Sequence, residues 1–323
     1  MKIFETTNSL GKIDGPLVLT IGNFDGLHLG HQSIINTAKA AASQYDAAGL
    51  AVMTFHPHPA VILHPQNAPR ILTSLVLKQK LLAAAGVDFL IVIKDDYELL
   101  TLSPGDFIDK FLQRYIGPTV IVEGPNFNFG YGRSGNVETL KQLAEERNFD
   151  VVIAETEQVE IDSETTVCSS SRIRDLLDSG KVASAALMLG RNYRLIGKTV
   201  HGRGVGKRIG FPTANIEPLA QLVPAEGVYA GLVQVADKPE DVCQPAGGMP
   251  AAFSIGRAKT FVTDHPMLIE AHLLSFEPSD LTGKWLAMDF VKRVRGQIRF
   301  DSREELKTQI ADDCRQVKKI LKT

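Results

Sequence analysis

Two segments of this 323-residue chain concentrate the residue types that handle phosphate. The first runs Gly22-Asn23-Phe24-Asp25-Gly26-Leu27-His28-Leu29-Gly30-His31, after an apolar run at 17–21 and before a helical stretch at 32–42. A strand, a glycine-containing turn and a helix start set backbone N–H groups and the positive end of the helix dipole where a phosphate can sit. His28 and His31 flank Gly30, and their imidazoles can donate hydrogen bonds to charge that builds on an α-phosphate under attack. The plain alternative is a turn carrying two surface histidines. The second segment is Gly202–Asn215, GRGVGKRIGFPTAN. It is not a Walker A loop, because Arg208 follows Lys207 where Ser or Thr would stand, and it is not a GxGxxG turn. Gly202, Gly204 and Gly210 with Arg203, Lys207 and Arg208 can close over a polyphosphate. Pro212 then fixes the chain so that Thr213 and Asn215 present oxygens from one face, a donor set suited to Mg²⁺. Here the alternative is a basic surface hairpin.

Further segments carry supporting chemistry. Ser169-Ser170-Ser171-Arg172-Ile173-Arg174 puts hydroxyls and two cations at a helix start, which suits a triphosphate. Asn126-Phe127-Asn128-Phe129-Gly130, with Arg133, follows an apolar run at the carboxyl end of the expected sheet, where open α/β folds bind ligands. Phe127 and Phe129 either face a ligand or pack in the core. His56-Pro57-His58-Pro59 has metal-ligand spacing without a third ligand in register, and is read as a rigid loop beside the nucleotide. Glu270 lies in a strand pattern between apolar neighbours, where pattern alone turns it to solvent.

These groups need scaffolds. Apolar runs at 17–21, 50–55, 89–93, 120–122 and 151–154 alternate with helical stretches, which predicts an open, doubly wound parallel α/β sheet. Beyond Tyr193, alternating pieces at 227–235, 268–276 and 285–294 predict an antiparallel barrel or sandwich. Leu306, Ile310, Cys314, Val317 and Leu321 recur at helical spacing after Ser302, a terminal amphipathic helix with a Ser-x-x-Glu start. The length suits two domains of roughly 150 residues, with the boundary in 181–192 after the stop signal Asp178-Ser179-Gly180. The formal charge of −2 argues against nucleic acid or an anionic membrane as the main partner. It divides into 15 Lys and Arg against 22 Asp and Glu up to residue 190, and 20 against 15 beyond it. Cys168, Cys243 and Cys314 are read as reduced thiols. With no signal segment and no apolar run near membrane length, the expected location is the cytoplasm.

GNFDGLHLGH, TFHPHP, GPNFNFG and SSSRIR, in that order, resemble the N-terminal module of the bacterial bifunctional riboflavin kinase/FMN adenylyltransferase family, and GRGVGKRIGFPTAN resembles its flavokinase signature. The resemblance implies an α/β plus all-β protein. Residues 1–185 would form a Rossmann-like HxGH nucleotidyltransferase domain, and residues 186–323 a six-stranded antiparallel flavokinase barrel with a terminal helix. It implies ATP with Mg²⁺, with riboflavin, FMN and FAD as substrates and products, and a monomer or weak oligomer. Residue by residue it assigns His28, His31 and Glu270 to catalysis, and Thr213 and Asn215 to the metal. Gly22, Asn23, Phe24, Asp25, Gly30, Ser169, Ser170, Ser171, Arg174, Gly202, Gly204, Lys207, Gly210 and Pro212 go to nucleotide. His58, Asn126, Phe127, Phe129, Arg133 and Arg293 go to flavin. The chain departs from the family pattern at His56, Asn128, Ala258-Lys259, Thr282 and Arg295-Gly296-Gln297. Rival readings are a flavin- or nucleotide-binding regulator without turnover, an enzyme retaining only the kinase step, and another cytidylyl- or adenylyltransferase.

Overall fold

The computed structural model describes residues 1–5, 15–46, 49–94, 97–202, 205–243, 247–257, 267–274 and 281–322. Contacts divide the chain into two units. One is Met1–Pro69, Lys78–Glu160 and Glu164–Cys168; the other is Arg70–Leu77, Ile161–Ser163 and Ser169–Thr323.

The first unit is built on six parallel strands: β1 (Lys2–Phe4), β2 (Leu17–Ile21), β3 (Gly49–Phe55), β4 (Phe89–Ile93), β5 (Val120–Glu123) and β6 (Asp150–Ile153). Their order is β1-β4-β3-β2-β5-β6. Leu17, Val18 and Leu19 have no exposed surface, which is why β2 reads as an unbroken apolar run rather than an alternating one. Helix α1 (Leu29–Gln44) buries Ile35, Ala38 and Ala41, and Phe107, Phe111 and Leu112 of the helix Phe107–Ile116 join a second apolar cluster with Leu17, Met53 and Ile121. The chain builds away from β2 through β3 and β4, then returns to the other side of β2 as β5. This places a topological switch point between β2 and β5, where ligands bind at the carboxyl ends of the strands. The sequence pattern locates five of these strands; β1, three residues long at the sheet edge, and the hairpin of Gln158–Ile161 and Glu164–Val167 carry too short a pattern to announce themselves.

The second unit is a closed antiparallel barrel. Its strands are β7 (Tyr193–Val200), β8 (Ala214–Pro218), β9 (Gly227–Ala236), β10 (Met249–Arg257), β11 (Met267–Leu273) and β12 (Trp285–Arg295), ordered β7-β8-β11-β10-β9-β12 and back to β7. The expected choice between barrel and sandwich is settled by the pairing of β7 with β12. Helix α2 (Ser170–Asp178) ends at the expected stop, but the segment after it is not a linker. Val182–Leu189 forms α3, which buries Val182, Ala185, Met188 and Leu189 and packs on β7 and β12. The contact division therefore differs from a cut between residues 185 and 186, because α3 packs on the barrel and α2 packs on α3. Segment Arg70–Leu77 joins the same unit through Gln221, whose side chain accepts from Ile196 N–H at 3.1 Å and donates to the Leu72 and Arg194 carbonyls at 3.0 Å each. Helix α4 (Arg303–Leu321) starts on Ser302, whose hydroxyl accepts from Glu305 N–H at 3.2 Å, and it buries Val317.

A buried ion pair ties the barrel together. Arg194, 8% exposed, grips Asp289 at 2.7 and 2.5 Å and donates to the Val242 carbonyl at 2.9 Å. Arg194→Ala leaves Asp289 without its counter-charge and is expected to cost about 3–5 kcal/mol in urea unfolding of the barrel. A loss below about 1 kcal/mol would show that the pair does not hold the barrel.

Candidate active sites

At the switch point, Gly22 N–H extends the ladder past β2 by donating to the Met53 carbonyl at 3.0 Å. The chain then leaves the sheet through Phe24, Gly26 and Leu27, all at positive φ (44°, 88° and 40°). Buried Phe24 and Leu27 hold this turn against its backbone strain. His28 caps α1: its Nδ1 accepts from His31 N–H at 3.4 Å, its carbonyl accepts from Gln32 N–H at 3.0 Å, and its ring stacks on His31 at 3.7 Å. Gly30 lies so close that a Cβ would stand 3.2 Å from the His28 ring and 3.4 Å from the Cys168 carbonyl, so the backbone at the helix start is bare. The two imidazoles and the first N–H groups of α1 thus share one end of one helix, the arrangement an attacked phosphate requires.

Groups behind the loop hold it. Lys78, 7% exposed, donates from Nζ to the Asn23 carbonyl at 2.6 Å and to Thr54 Oγ1 at 3.4 Å, and Thr54 also donates to the Asn23 carbonyl at 3.2 Å. Burial brings the Lys78 ammonium down to about 8, with the charge of Asp25 pulling the other way. The Asn23 amide lies 3.0 Å from His58 Nε2. His58 Nδ1 accepts from Ala60 N–H at 3.1 Å, while its Nε2 faces the Asn23 side-chain amide. His58 is thereby engaged with the loop and the short helix Pro59–Leu63.

Asn126, Asn128 and Arg133 are exposed beyond β5, with Asn128 donating to the Asn126 carbonyl at 2.8 Å. Of the two phenylalanines left open above, Phe129 is 7% exposed and belongs to the core, packed on Phe107, while Phe127 is half-buried and stacked on Phe129 at 5.5 Å. Core packing therefore claims Phe129, because the two-residue strand Asn128–Phe129 turns it inward.

Glu123, last in β5, was not visible as a site residue. It is 2% exposed and accepts from Ile21 N–H at 2.6 Å, bridging β2 and β5 at the switch point. Burial pushes its carboxyl well above the ordinary 4.5, with the Ile21 N–H and Thr20 hydroxyl pulling back. Its charged form therefore weighs on the fold above the raised value, and that weight lifts as pH falls toward the unfolded value. Glu123→Gln is expected to raise the melting temperature at about pH 8, with the gain shrinking toward about pH 5; an equal change at both would contradict it.

In the second unit Ser169 caps α2, accepting from Arg172 N–H at 3.2 Å, with Ser170 half-buried and Ser171 exposed. Arg174 is not a loose cation: its Nε donates to the Arg70 carbonyl at 2.7 Å.

The barrel's own site is a cavity of about 920 Å³. Ile269, Ala271 and Leu273 of β11 turn into the packed interior, so Glu270 and His272 point the other way, into the cavity. Pattern alone had sent Glu270 to solvent; the barrel instead pairs it with Asn215 on β8, and Thr213 Oγ1 donates to Glu270 Oε1 at 3.3 Å. His272, also missed, donates from Nδ1 to the Pro212 carbonyl at 2.8 Å and meets the Phe211 ring edge-on, which holds FPT in place. At Gly202 a Cβ would fall 1.9 Å from Asn215 Nδ2, so any side chain there would displace the Asn215 amide. Gly210 takes φ 86°. Lys207 lies on the short helix Val205–Arg208, and Gly204, Arg203 and Ala258-Lys259 lie outside the described residues. At the far end Arg295 pairs with Asp313 at 2.9 and 2.7 Å, and Gln297 donates to Ser254 Oγ and the Ile255 carbonyl. Arg293 does not line this cavity. It donates to the Glu226 carbonyl at 2.7 Å and lies against Gly180, on the other side of a register shift in the β9–β12 pairing.

The fold and these two sites define a two-module enzyme class, a nucleotidyl-transferring α/β unit joined to a phosphoryl-transferring barrel. Family models agree: residues 11–172 match FAD synthetase and residues 189–321 match riboflavin kinase. The bifunctional riboflavin kinase/FMN adenylyltransferase of Escherichia coli K12 is 33% identical over 303 residues, 92% of this chain and 90% of that one. The Bacillus subtilis protein of the same name is 34% identical over 301 residues, with the same shares. The crystal structure of a macrolide-efflux protein from Streptococcus pneumoniae matches with a TM-score of 0.81 at 27% identity over 96% of each chain. The chain belongs to the bifunctional riboflavin kinase/FMN adenylyltransferase family. Among the described residues no helix is long and apolar enough to cross a membrane.

Proposed function

We propose that the chain makes FAD in two ATP-dependent steps, riboflavin plus ATP giving FMN and ADP at the barrel cavity, and FMN plus ATP giving FAD and pyrophosphate at the HxGH site. The observation that carries this is a pair of unlike phosphate loops, one bared by Gly30 and the other by Gly202, each beside its own reactive side chains. The chemistry divides at residues 185 and 186, with the enzyme acting in the cytoplasm as a monomer or weak oligomer, without nucleic acid or membrane.

In the kinase step the attacking group is the primary hydroxyl of riboflavin's ribityl chain, a poor nucleophile. Glu270 takes its proton as the oxygen attacks the γ-phosphorus and the bond to ADP breaks. Gly202, Gly204, Lys207, Gly210 and Pro212 cradle the phosphates. The oxygens of Thr213 and Asn215, facing Glu270 with no sulfur or imidazole between, fit a hard divalent cation. No cluster of three His, Cys, Asp or Glu groups among the described residues forms a metal cage, so Mg²⁺ would enter with the nucleotide. Mg²⁺ neutralises charge on the transferred group when bound.

In the adenylyl step the FMN phosphate is already anionic and needs no base. The FMN oxygen attacks the α-phosphorus of ATP and pyrophosphate leaves. His28, His31 and the N–H groups of α1 oppose the charge on the α-phosphate, with Gly22, Asn23, Phe24, Asp25 and Gly30 shaping the loop. Ser169, Ser170, Ser171 and Arg174 serve the triphosphate. His58, Asn126, Phe127 and Arg133 serve the flavin, with Phe129 supporting Phe127 from beneath; Arg293 is a further flavin-binding residue of the chain.

Two variants separate the steps. Glu270→Ala is expected to lower FMN formation from riboflavin by about 10²-fold or more while supplied FMN is still converted to FAD. His31→Ala is expected to lower FAD formation by about 10²-fold and leave FMN formation intact. Chromatography of the flavins reads both; equal loss of both steps in either variant would contradict separate sites.

A further inference from the structure

Lys78 is a buried cation beside the phosphate loop that the chemistry above does not use. It sits on the helix Leu75–Ala84, and its Nζ reaches the Asn23 carbonyl at 2.6 Å and Thr54 Oγ1 at 3.4 Å, with Asp25 supplying the nearby negative charge. A buried ammonium is costly unless something holds it, and its ligands here are parts of the phosphate loop itself. Asn23 is held at both ends, by Lys78 and Thr54 on its carbonyl and by His58 on its amide. The following residues run through positive φ at Phe24 and Leu27, a course that persists only where the surroundings over-determine it. His28 follows directly, and its ring stacks on His31 at 3.7 Å.

We propose that Lys78 is a positioning residue for adenylyl transfer, clamping the Asn23 carbonyl so that the loop aims His28 and His31 at the α-phosphate. The proposal rests on reading this loop as the adenylyltransferase site. A cation does this better than a neutral donor, because it also places positive potential beneath a loop that receives a polyphosphate, where Asp25 alone would repel it. An ammonium near 8 also makes the clamp sensitive to alkaline pH. Among the described residues, other titratable groups at the loop include Asp25, His58, His28, His31 and Cys168, which is hydrogen-bonded with the Gly30 backbone.

The test compares Lys78→Met, Lys78→Arg and His31→Ala in the full chain, with riboflavin phosphorylation in each preparation as the folding control. Lys78→Met is expected to lower kcat for FAD formation by about tenfold or more, with a smaller change in KM for ATP and FMN formation within about twofold. Lys78→Arg keeps the charge and is expected to restore FAD formation to within about fivefold of the parent. The parent's FAD formation is expected to fall above about pH 8, and Lys78→Arg to move that limb upward. FAD formation within about twofold in Lys78→Met, or an alkaline limb unchanged in Lys78→Arg, overturns the proposal. If Lys78→Met does not fold, the pH comparison of parent and Lys78→Arg decides alone. Loss of FAD formation in His31→Ala but not in Lys78→Met sinks only the role of Lys78; no loss in His31→Ala sinks the site itself.

Discussion

A phosphate can be brought against backbone N–H groups only where no side chain intervenes, and bare backbone is the part of a chain least able to hold its own shape. Gly30 and Gly202 stand at the two places where this conflict is met. In each, an added Cβ would strike a group of the site itself, the His28 ring in one and the Asn215 amide in the other. Each loop is therefore shaped by what holds it. Lys78, Thr54 and His58 hold Asn23 in the first unit, and His272 and Phe211 hold FPT in the second.

The two folds supply that support differently. A parallel sheet buried on both faces ends in a crest of strand termini, and reversal of strand order at β2 opens a crevice there. Glu123 closes the crest from below, taking the Ile21 N–H that the divergence of β2 and β5 leaves without a ladder partner. The barrel has no such crest. It uses the two-residue period of its strands, burying Ile269, Ala271 and Leu273 so that Glu270 and His272 have to face outward beneath the loop.

Much of this was legible in the residues. Fully buried strands read as unbroken apolar runs, and HxGH, SSSRIR and FPTAN carry their chemistry in contiguous residues. What escaped depends on distance in sequence. Lys78 meets Asn23 across 55 positions, and nothing in the helix Leu75–Ala84 sets it apart from its polar neighbours Gln79 and Lys80. Glu123 and His272 act on backbone groups 102 and 60 positions away, which no local spacing announces. Arg293 and Arg295 share one face of β12 by period, yet a register shift against β9 sends only Arg295 to the cavity and to Asp313. The segment after the stop signal Asp178-Ser179-Gly180 was open to reading as a domain boundary because the surface that covers α3 lies on β7 and β12.

The central claim is that two independent phosphate sites act in series on one flavin. The most direct measurement is a time course of the full chain with riboflavin, ATP and Mg²⁺, following flavins by chromatography and ADP and pyrophosphate in the same samples. FMN is expected to rise first and then convert to FAD, with one ADP and one pyrophosphate released for each FAD formed. FMN that accumulates without FAD or pyrophosphate, or bound flavin with no release of either product, would contradict it.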